Sequence, residues 1–204
     1  AKNLNWYQVP IAALGFYENA MQVRTRPAER TGGRAEIELI PPVPFYEVEN
    51  RVETTSSWRQ HRLGVRHDMA GGGELEVWGG VFRRAPYLDA YVAVGDPVGY
   101  FGAAMKEAFA REGIEIAGRI RPAERLPGLV WTPLATYRSD LLTIVEVTNR
   151  ESQNFFAESL IRVLGAERCR LGTWEQGVEV VELFLDEAGL TPGSYHLADG
   201  SGLA

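Results

Sequence analysis

Residues 147–160 read Val-Thr-Asn-Arg-Glu-Ser-Gln-Asn-Phe-Phe-Ala-Glu-Ser-Leu. Ser152 and Asn154 lie two residues apart where a helical pattern of apolar residues is expected to begin. Because a helix N-terminus carries partial positive charge, a hydroxyl and a carboxamide at this point suit an anionic or carbonyl-bearing ligand. Spacing alone favours a simpler interpretation, in which Ser152 is an N-cap that stabilises the helix by about 1 kcal/mol.

The sequence after residue 140 predicts helices, because apolar residues recur there at helical spacing. The three predicted helices cover about 140–149, 152–164 and 173–188. Thr173 and Gln176 form a capping-box pattern at the start of the third. This part of the chain is therefore expected to be largely helical.

The sequence before residue 95 predicts short strands, since runs rich in Val, Ile, Tyr and Trp alternate in polarity between Gly and Pro residues. The predicted strands within about 4–95 include 20–25, 35–40, 62–66 and 74–81, with a turn at 31–33 and a flexible tip at 69–73. Asp96-Pro97 predicts the start of a helix that ends near Gly113, and 114–120 resembles one further strand.

Composition narrows the class of partner. A net charge of −6 and scattered arginines provide no basic surface for a phosphate backbone, so no nucleic-acid partner is expected. Cys169 is the single cysteine, which excludes an intrachain disulfide and favours a buried thiol. No apolar run approaches the roughly 20 residues of a membrane span, and no signal peptide is visible.

Several segments together resemble the class C low-molecular-mass penicillin-binding proteins, the D-alanyl-D-alanine carboxypeptidase/endopeptidase family. Residues 148–160 resemble the Ser-x-Asn signature of that family, and Asp199-Gly200-Ser201-Gly202-Leu203 resembles its Asp-Gly-Ser-Gly-Leu turn. Asp96-Pro97 with Gly113-Ile114, and residues 41–55, resemble further parts in the same order. The resemblance spans nearly the whole chain, and the joint match is far more specific than any one piece.

The resemblance implies an α+β fold. Residues 1–125 would form β-rich inserted domains with one helix at about 96–113, and 126–204 would form a helical part of a penicillin-binding, β-lactamase-like transpeptidase domain. It also implies location outside the cytoplasmic membrane, in the periplasm or beyond. The expected partners are a peptidoglycan stem peptide and, in the intact enzyme, β-lactams. No cofactor or metal is implied.

The resemblance further implies serine acyl transfer built from three motifs, Ser-x-x-Lys, Ser-x-Asn and Lys-Thr-Gly. Ser152 would relay a proton toward the leaving amine, and Asn154 would hydrogen-bond the substrate amide and the catalytic lysine. The expected site is completed by a wall of the substrate pocket, formed by Asp199, Gly200, Ser201 and Gly202.

The first and third motifs are absent from this sequence. Lys2 and Lys106 are its two lysines; neither lies three residues after a serine, and neither precedes Thr-Gly or Ser-Gly. The chain therefore resembles the middle of the enzyme and is expected to be inactive alone. The alternative is a non-catalytic relative that retains the fold for binding or scaffolding.

Other reactive side chains receive simpler interpretations. Ser201 lacks the strand-to-helix context of a nucleophile elbow, so a turn is expected there. Glu158 is interpreted as an acceptor for backbone or arginine donors at a domain contact rather than as a general base. His61, His67 and His196 are too dispersed for a metal site and are assigned to the surface.

Overall fold

The structure is a computed structural model, and it describes residues 7–68, 73–118, 120–121, 128, 130, 132–133, 135–191 and 193–202. The chain divides into two compact units, Ala1–Arg125 and Leu126–Ala204. The described part of the first unit contains two sheets, one α-helix and the short 3₁₀ helices Tyr17–Asn19 and Trp58–Gln60, and three α-helices lie in the described part of the second. The predicted α+β class is confirmed.

The first unit contains two three-stranded sheets. Their strands are β1 (Ala20–Arg26), β2 (Glu36–Ile40), β3 (Glu47–Thr55), β4 (Arg62–His67), β5 (Glu74–Phe82) and β6 (Leu88–Ala93). One sheet has the order β2-β1-β6 and is antiparallel throughout. The other has the order β3-β5-β4, in which β3 and β5 run parallel while β4 and β5 run antiparallel.

Alternation along the strands builds the core of this unit. In β5, for example, Leu75 and Val77 are fully buried while Trp78 is exposed, as expected for a strand with one face toward the core. Helix α1 (Pro97–Arg111) completes the unit, and its Tyr100 packs against the rings of Phe16 and Phe45 at centroid distances of 5.6 and 5.4 Å. The predicted helix start is confirmed, since the Asp96 carboxylate accepts a hydrogen bond from the Gly99 amide.

Three expectations for this unit need correction. The strands β3 and β6 were not predicted, and residues 114–118, predicted as a strand, have no regular secondary structure. The surface assignment of His67 is wrong, because its side chain is buried and its Nδ1 lies 3.3 Å from the Tyr46 hydroxyl. The predicted tip at 69–73 lies mostly outside the described residues.

The second unit contains helices α2 (Leu141–Glu151), α3 (Asn154–Cys169) and α4 (Trp174–Glu187). The Thr173 hydroxyl accepts a hydrogen bond from the Gln176 amide, which confirms one half of the predicted capping box. The other half is not formed, because the side-chain oxygen of Gln176 has no hydrogen-bond partner among the described residues. Cys169, expected to be buried, is only half-buried at the end of α3.

Helices α3 and α4 approach each other closely at two buried glycines, Gly165 and Gly177. A Cβ added to Gly177 would lie 1.9 Å from the Ile161 carbonyl oxygen, and one added to Gly165 would lie 2.9 Å from the Gly177 amide nitrogen. The backbones therefore touch without intervening side chains. This packing requires a residue without a side chain at position 177.

We expect Gly177→Ala to force α3 and α4 apart and to lower the free energy of unfolding by about 1–3 kcal/mol, as overpacking does in close-packed interiors. Thermal unfolding followed by circular dichroism measures the effect. The matched control is Gly172→Ala in the loop between the same helices, where the nearest atom to an added Cβ is 3.5 Å away. Equal unfolding temperatures for the two variants would contradict the close contact.

Candidate functional site

Ser152 and Asn154 lie at the corner between α2 and α3. Ser152 is the C-cap of α2, with φ 54° and ψ 50°, and α3 begins at Asn154 with Gln153 as its N-cap. The prediction of a helix start at residue 152 is therefore wrong by two residues. Because Ser152 ends one helix and does not begin the next, the N-cap interpretation of this serine is wrong as well.

The corner is fixed through the backbone. The Ser152 and Gln153 amides both donate to the Thr148 carbonyl oxygen, the second at 3.1 Å. The Thr148 hydroxyl in turn donates to the Ile144 carbonyl oxygen at 2.7 Å. These bonds occupy acceptors that a helix end leaves unpaired, as in other left-handed C-caps. The turn is thus held without using the side chain of Ser152.

The far end of α2 is capped by an acid. The Asp140 carboxylate accepts hydrogen bonds from the amide and the hydroxyl of Thr143, both at 2.9 Å. The hydrogen bond from the Thr143 amide, and to a smaller extent that from its hydroxyl, stabilises the charged carboxylate. The pKa of Asp140 therefore lies below its ordinary value. Helix α2, which leads into the corner, therefore starts at a defined residue.

The side chains of Ser152 and Asn154 remain available. Ser152 is exposed and Asn154 is half-buried. Within the described part of the chain, neither the hydroxyl nor the carboxamide has a hydrogen-bond partner. The Ser152 hydroxyl and the Asn154 carboxamide can each donate and accept hydrogen bonds. Together they can bind an amide or a carboxylate that approaches the N-terminus of α3.

The backbone of Ser152 is energetically unfavourable for this residue type. A left-handed conformation costs a residue with a Cβ roughly 1–2 kcal/mol, and glycine usually occupies such caps. Strain of this kind is concentrated at functional sites in proteins. The observed conformation therefore motivates a functional hypothesis for Ser152.

Glu158 links α3 to the turn at residues 199–202. Its Oε1 accepts hydrogen bonds from the amides of Gly200 at 2.8 Å and Ser201 at 3.0 Å. Glu158 accepts from backbone donors as interpreted, but these donors lie in the same unit and not at a domain contact. Since Glu158 follows Asn154 by four residues, both lie on one face of α3, one helical turn apart. The turn therefore docks one helical turn beyond Asn154.

The 199–202 turn is closed by its own acid and by a close approach to the helix. The Asp199 carboxylate accepts hydrogen bonds from the amides of Ser201, at 2.9 Å, and Gly202. A Cβ added to Gly200 would lie 2.8 Å from the Ala157 carbonyl oxygen. Within residues 193–202 the backbone forms turns and bends with no helix or strand, as the turn interpretation of Ser201 requires.

Among the residues that the structure describes, no three His, Cys, Asp or Glu side chains are grouped to hold a metal ion. None of the described helices combines the length and the apolar character needed to cross a bilayer. The hydrogen bonds to the Thr148 carbonyl have no signal in the sequence, because they depend on backbone geometry.

Comparisons with known proteins agree on one family. The sequence profile of the D-Ala-D-Ala carboxypeptidase 3 (S13) family matches residues 3–204. A D-alanyl-D-alanine carboxypeptidase from Actinomadura sp. (strain R39) is 27% identical over 194 residues, which cover 93% of this chain and 35% of that protein.

Solved structures share the fold. Penicillin binding protein 4 from Haemophilus influenzae, complexed with a novel β-lactam, is similar to the whole chain with a TM-score of 0.76 at 21% identity, and the match covers 47% of that protein. A second structure of the same protein gives 0.74 at 22% identity and 44% coverage. The chain thus spans about a third of the curated relative and under half of the solved structures.

We expect Ser152→Gly to raise the free energy of unfolding by about 0.5–1 kcal/mol, because glycine removes the left-handed strain. Ser152→Ala, which removes only the hydroxyl, should change it by less than about 0.5 kcal/mol. Chemical denaturation measures both. The control is Asp140→Ala, which removes a true N-cap and should cost about 1 kcal/mol. A comparable loss for Ser152→Ala would show that the hydroxyl has a structural role.

Removing the charge of Glu158 should loosen the 199–202 turn. In Glu158→Gln the Gly200 and Ser201 amides lose a charged acceptor, so we expect their hydrogen exchange to accelerate about tenfold, since such bonds contribute roughly 1.5 kcal/mol or more. Glu167→Gln, an exposed acid on the same helix, is the matched control. Unchanged exchange in Glu158→Gln would mean that Glu158 does not hold the turn.

Proposed function

The chain belongs to the D-Ala-D-Ala carboxypeptidase 3 (S13) family, and we propose that it supplies part of the active site of a serine-type D-Ala-D-Ala carboxypeptidase/endopeptidase. The substrate class is the peptidoglycan stem peptide, cleaved through an acyl-enzyme. In this proposal Ala1–Arg125 corresponds to the inserted domains and Leu126–Ala204 to part of the catalytic domain. The enzyme acts in the periplasm or elsewhere outside the cytoplasmic membrane.

The proposed roles follow from the free groups at the helix corner. The Ser152 hydroxyl can accept a proton and pass one on, so it relays a proton toward the leaving D-alanine amine. Asn154 offers both a donor and an acceptor to a peptide amide. The hypothesis is supported by the exposure of Ser152 and by the absence of a competing hydrogen-bond partner among the described residues.

The single observation that carries the proposal is the pair of bonds from the Gly200 and Ser201 amides to Glu158. These bonds join Glu158 to residues that follow it in the sequence by 42 and 43 positions. In consequence Asp199, Gly200, Ser201 and Gly202 border the same face of α3 that begins with Asn154. This arrangement supports the role of the turn as a wall beside the Ser-x-Asn pair.

The acylated serine of the proposed mechanism is a residue other than Ser152. A serine becomes nucleophilic when an adjacent base accepts its proton. Lysine in the Ser-x-x-Lys motif serves that purpose, and the 204 residues contain only Lys2 and Lys106, neither in such a motif. We therefore propose that the 204-residue chain is inactive by itself and that Ser152 assists a nucleophile supplied from outside it.

Burial in the second unit supports the same proposal. Helix α2 has no buried residue, and its Leu141 and Leu142 are 62% and 66% exposed. Among the described residues of this unit, Ile161 and Val178 are the only buried apolar side chains with a β-carbon. An apolar surface of this kind is typical of an interface that another part of a protein covers.

A non-catalytic binding or scaffold protein is the second candidate, favoured by the absence of both lysine motifs from the 204 residues. The genomic sequence on either side discriminates the two. A Ser-x-x-Lys upstream and a Lys-Thr-Gly downstream would exclude the scaffold function. A start codon and a stop codon at these boundaries would exclude the enzyme.

The 204-residue chain should form no covalent adduct with a fluorescent penicillin, because it lacks an activated serine. Denaturing gel fluorescence and intact-mass measurement check this, with an active penicillin-binding protein as the positive control. An adduct on any residue of the chain would contradict the proposal.

In a gene product that carries both flanking motifs, Ser152→Ala should lower kcat/KM for a D-Ala-D-Ala peptide about a hundredfold, the scale of a lost proton-transfer group. The matched control is Ser159→Ala on α3, whose hydroxyl donates to the Phe155 carbonyl oxygen. Equal activity of the two variants would exclude the relay role of Ser152.

A further inference from the structure

A polar cavity of about 390 Å³ opens on the first unit, between β3, β5 and the short 3₁₀ helix Trp58–Gln60. Its volume falls in the lower part of the range of small-molecule sites, about 300–1,000 Å³. None of the residues proposed for the peptidase site lines it. The cavity therefore requires its own explanation.

Two unpaired charges of opposite sign flank the cavity floor. In the sheet β3-β5-β4, Glu53 and Arg62 are both paired with Gly80 of the central strand. Since directly paired residues share a face, the acid and the base stand on either side of a position without a side chain, roughly 10 Å apart across two strand spacings. Neither charge has an ion-pair partner in the part of the chain that the structure describes.

A third polar group beside the cavity, the Gln60 carboxamide, is held in a fixed orientation by Thr55. The Thr55 hydroxyl accepts a hydrogen bond from the Ser57 amide at 3.1 Å and donates one to Gln60 Oε1 at 2.5 Å. This bond uses the oxygen of the Gln60 carboxamide and leaves its amino group as a donor. The backbone carbonyl of Gln60 covers the central strand closely, so a Cβ added at Gly80 would lie 2.6 Å from the backbone oxygen of Gln60.

The same 3₁₀ helix carries a rigid exposed aromatic side chain. Trp58 is 64% exposed, and its ring contacts those of His61 and Phe82 at centroid distances of 4.3 and 5.5 Å. The Phe82 amide donates to His61 Nδ1 at 3.0 Å, which fixes the ring beneath the indole. An indole held in this way offers a large contact area at little cost in side-chain entropy.

From these groups we propose that the cavity binds a saccharide, specifically a pyranose ring of an N-acetylated amino-sugar strand. Glu53 accepts hydrogen bonds from ring hydroxyls, and Arg62 and Gln60 donate to ring and acetamido oxygens. Trp58 contacts the apolar C–H face of a neighbouring ring. A simple ion is attracted by one of the two charges and repelled by the other, so the pair gives little net preference for either sign, whereas an uncharged, polyhydroxylated ligand can form hydrogen bonds with both. The choice of an amino sugar rests on the proposed peptidoglycan function.

The test is a titration of the 204-residue chain with a β-1,4-linked tetramer of N-acetylglucosamine, which contains no peptide. We expect saturable NMR shifts of the Gly79, Gly80 and Gln60 amides at millimolar ligand. Glu53→Gln and Arg62→Met should each weaken binding about tenfold, because each removes a hydrogen bond to a charged group.

Matched controls separate the cavity from general surface charge. Arg59→Met and Glu47→Gln remove exposed charges from residues that do not line the cavity, and both should bind as the unaltered chain does. Absence of saturable shifts, equal weakening by the controls, or binding of a free diamino acid in place of the saccharide would each overturn the assignment. Those outcomes leave the penicillin test unaffected, so failure of this inference and failure of the proposed function are distinguishable.

Discussion

The carboxylate of Glu158 joins two segments of the second unit that are distant in sequence. By accepting the amides of Gly200 and Ser201, it joins the turn at 199–202 to the helix that starts at Asn154. A carboxylate is effective here because it has several acceptor positions and because charged acceptors form stronger hydrogen bonds than neutral ones. Gly200 is the geometric counterpart, since any side chain would collide with the Ala157 carbonyl. Charge and absence of a side chain together fix the distance of the turn from α3.

The corner at Ser152 depends on a different balance. Backbone bonds to the Thr148 carbonyl secure the end of α2, and they would be equally available to glycine. Serine is less favourable than glycine in a left-handed conformation. Stability therefore gives no reason for a serine at this position, whereas the proposed proton relay through its hydroxyl would give one. Proteins commonly sacrifice stability at functional positions in this manner.

How far the sequence predicted these features depended on the range of the interactions. Helices α1 and α4 were predicted with their caps, because Asp96 and Thr173 act on amides three residues away. Strand β3 was not among the strands named from the sequence, although charged residues at 47, 49, 51 and 53 alternate there with Val48 and Val52. Its parallel pairing with β5 joins residues 27 positions apart, such as Glu47 and Glu74, and has no local signal. His67 was misassigned because the Tyr46 hydroxyl that accompanies its burial lies 21 residues away. The Ser-x-Asn pair was found through resemblance, while its left-handed backbone has no sequence signal in a non-glycine residue.

The two units differ in how much of their apolar surface they bury themselves. In the first, both sheets and α1 surround a continuous core that includes Val23, Val52, Val77 and Tyr100. In the second, the described residues bury mainly a helix crossing at Ile161, Gly165, Gly177 and Val178, while α2 keeps its leucines exposed. Because burial of apolar area is the dominant favourable term in folding, the first unit has the larger stability of its own. In the proposed enzyme, the segment that carries the nucleophile would have to cover the exposed apolar residues of α2, and the same contacts would then place the nucleophile near Ser152.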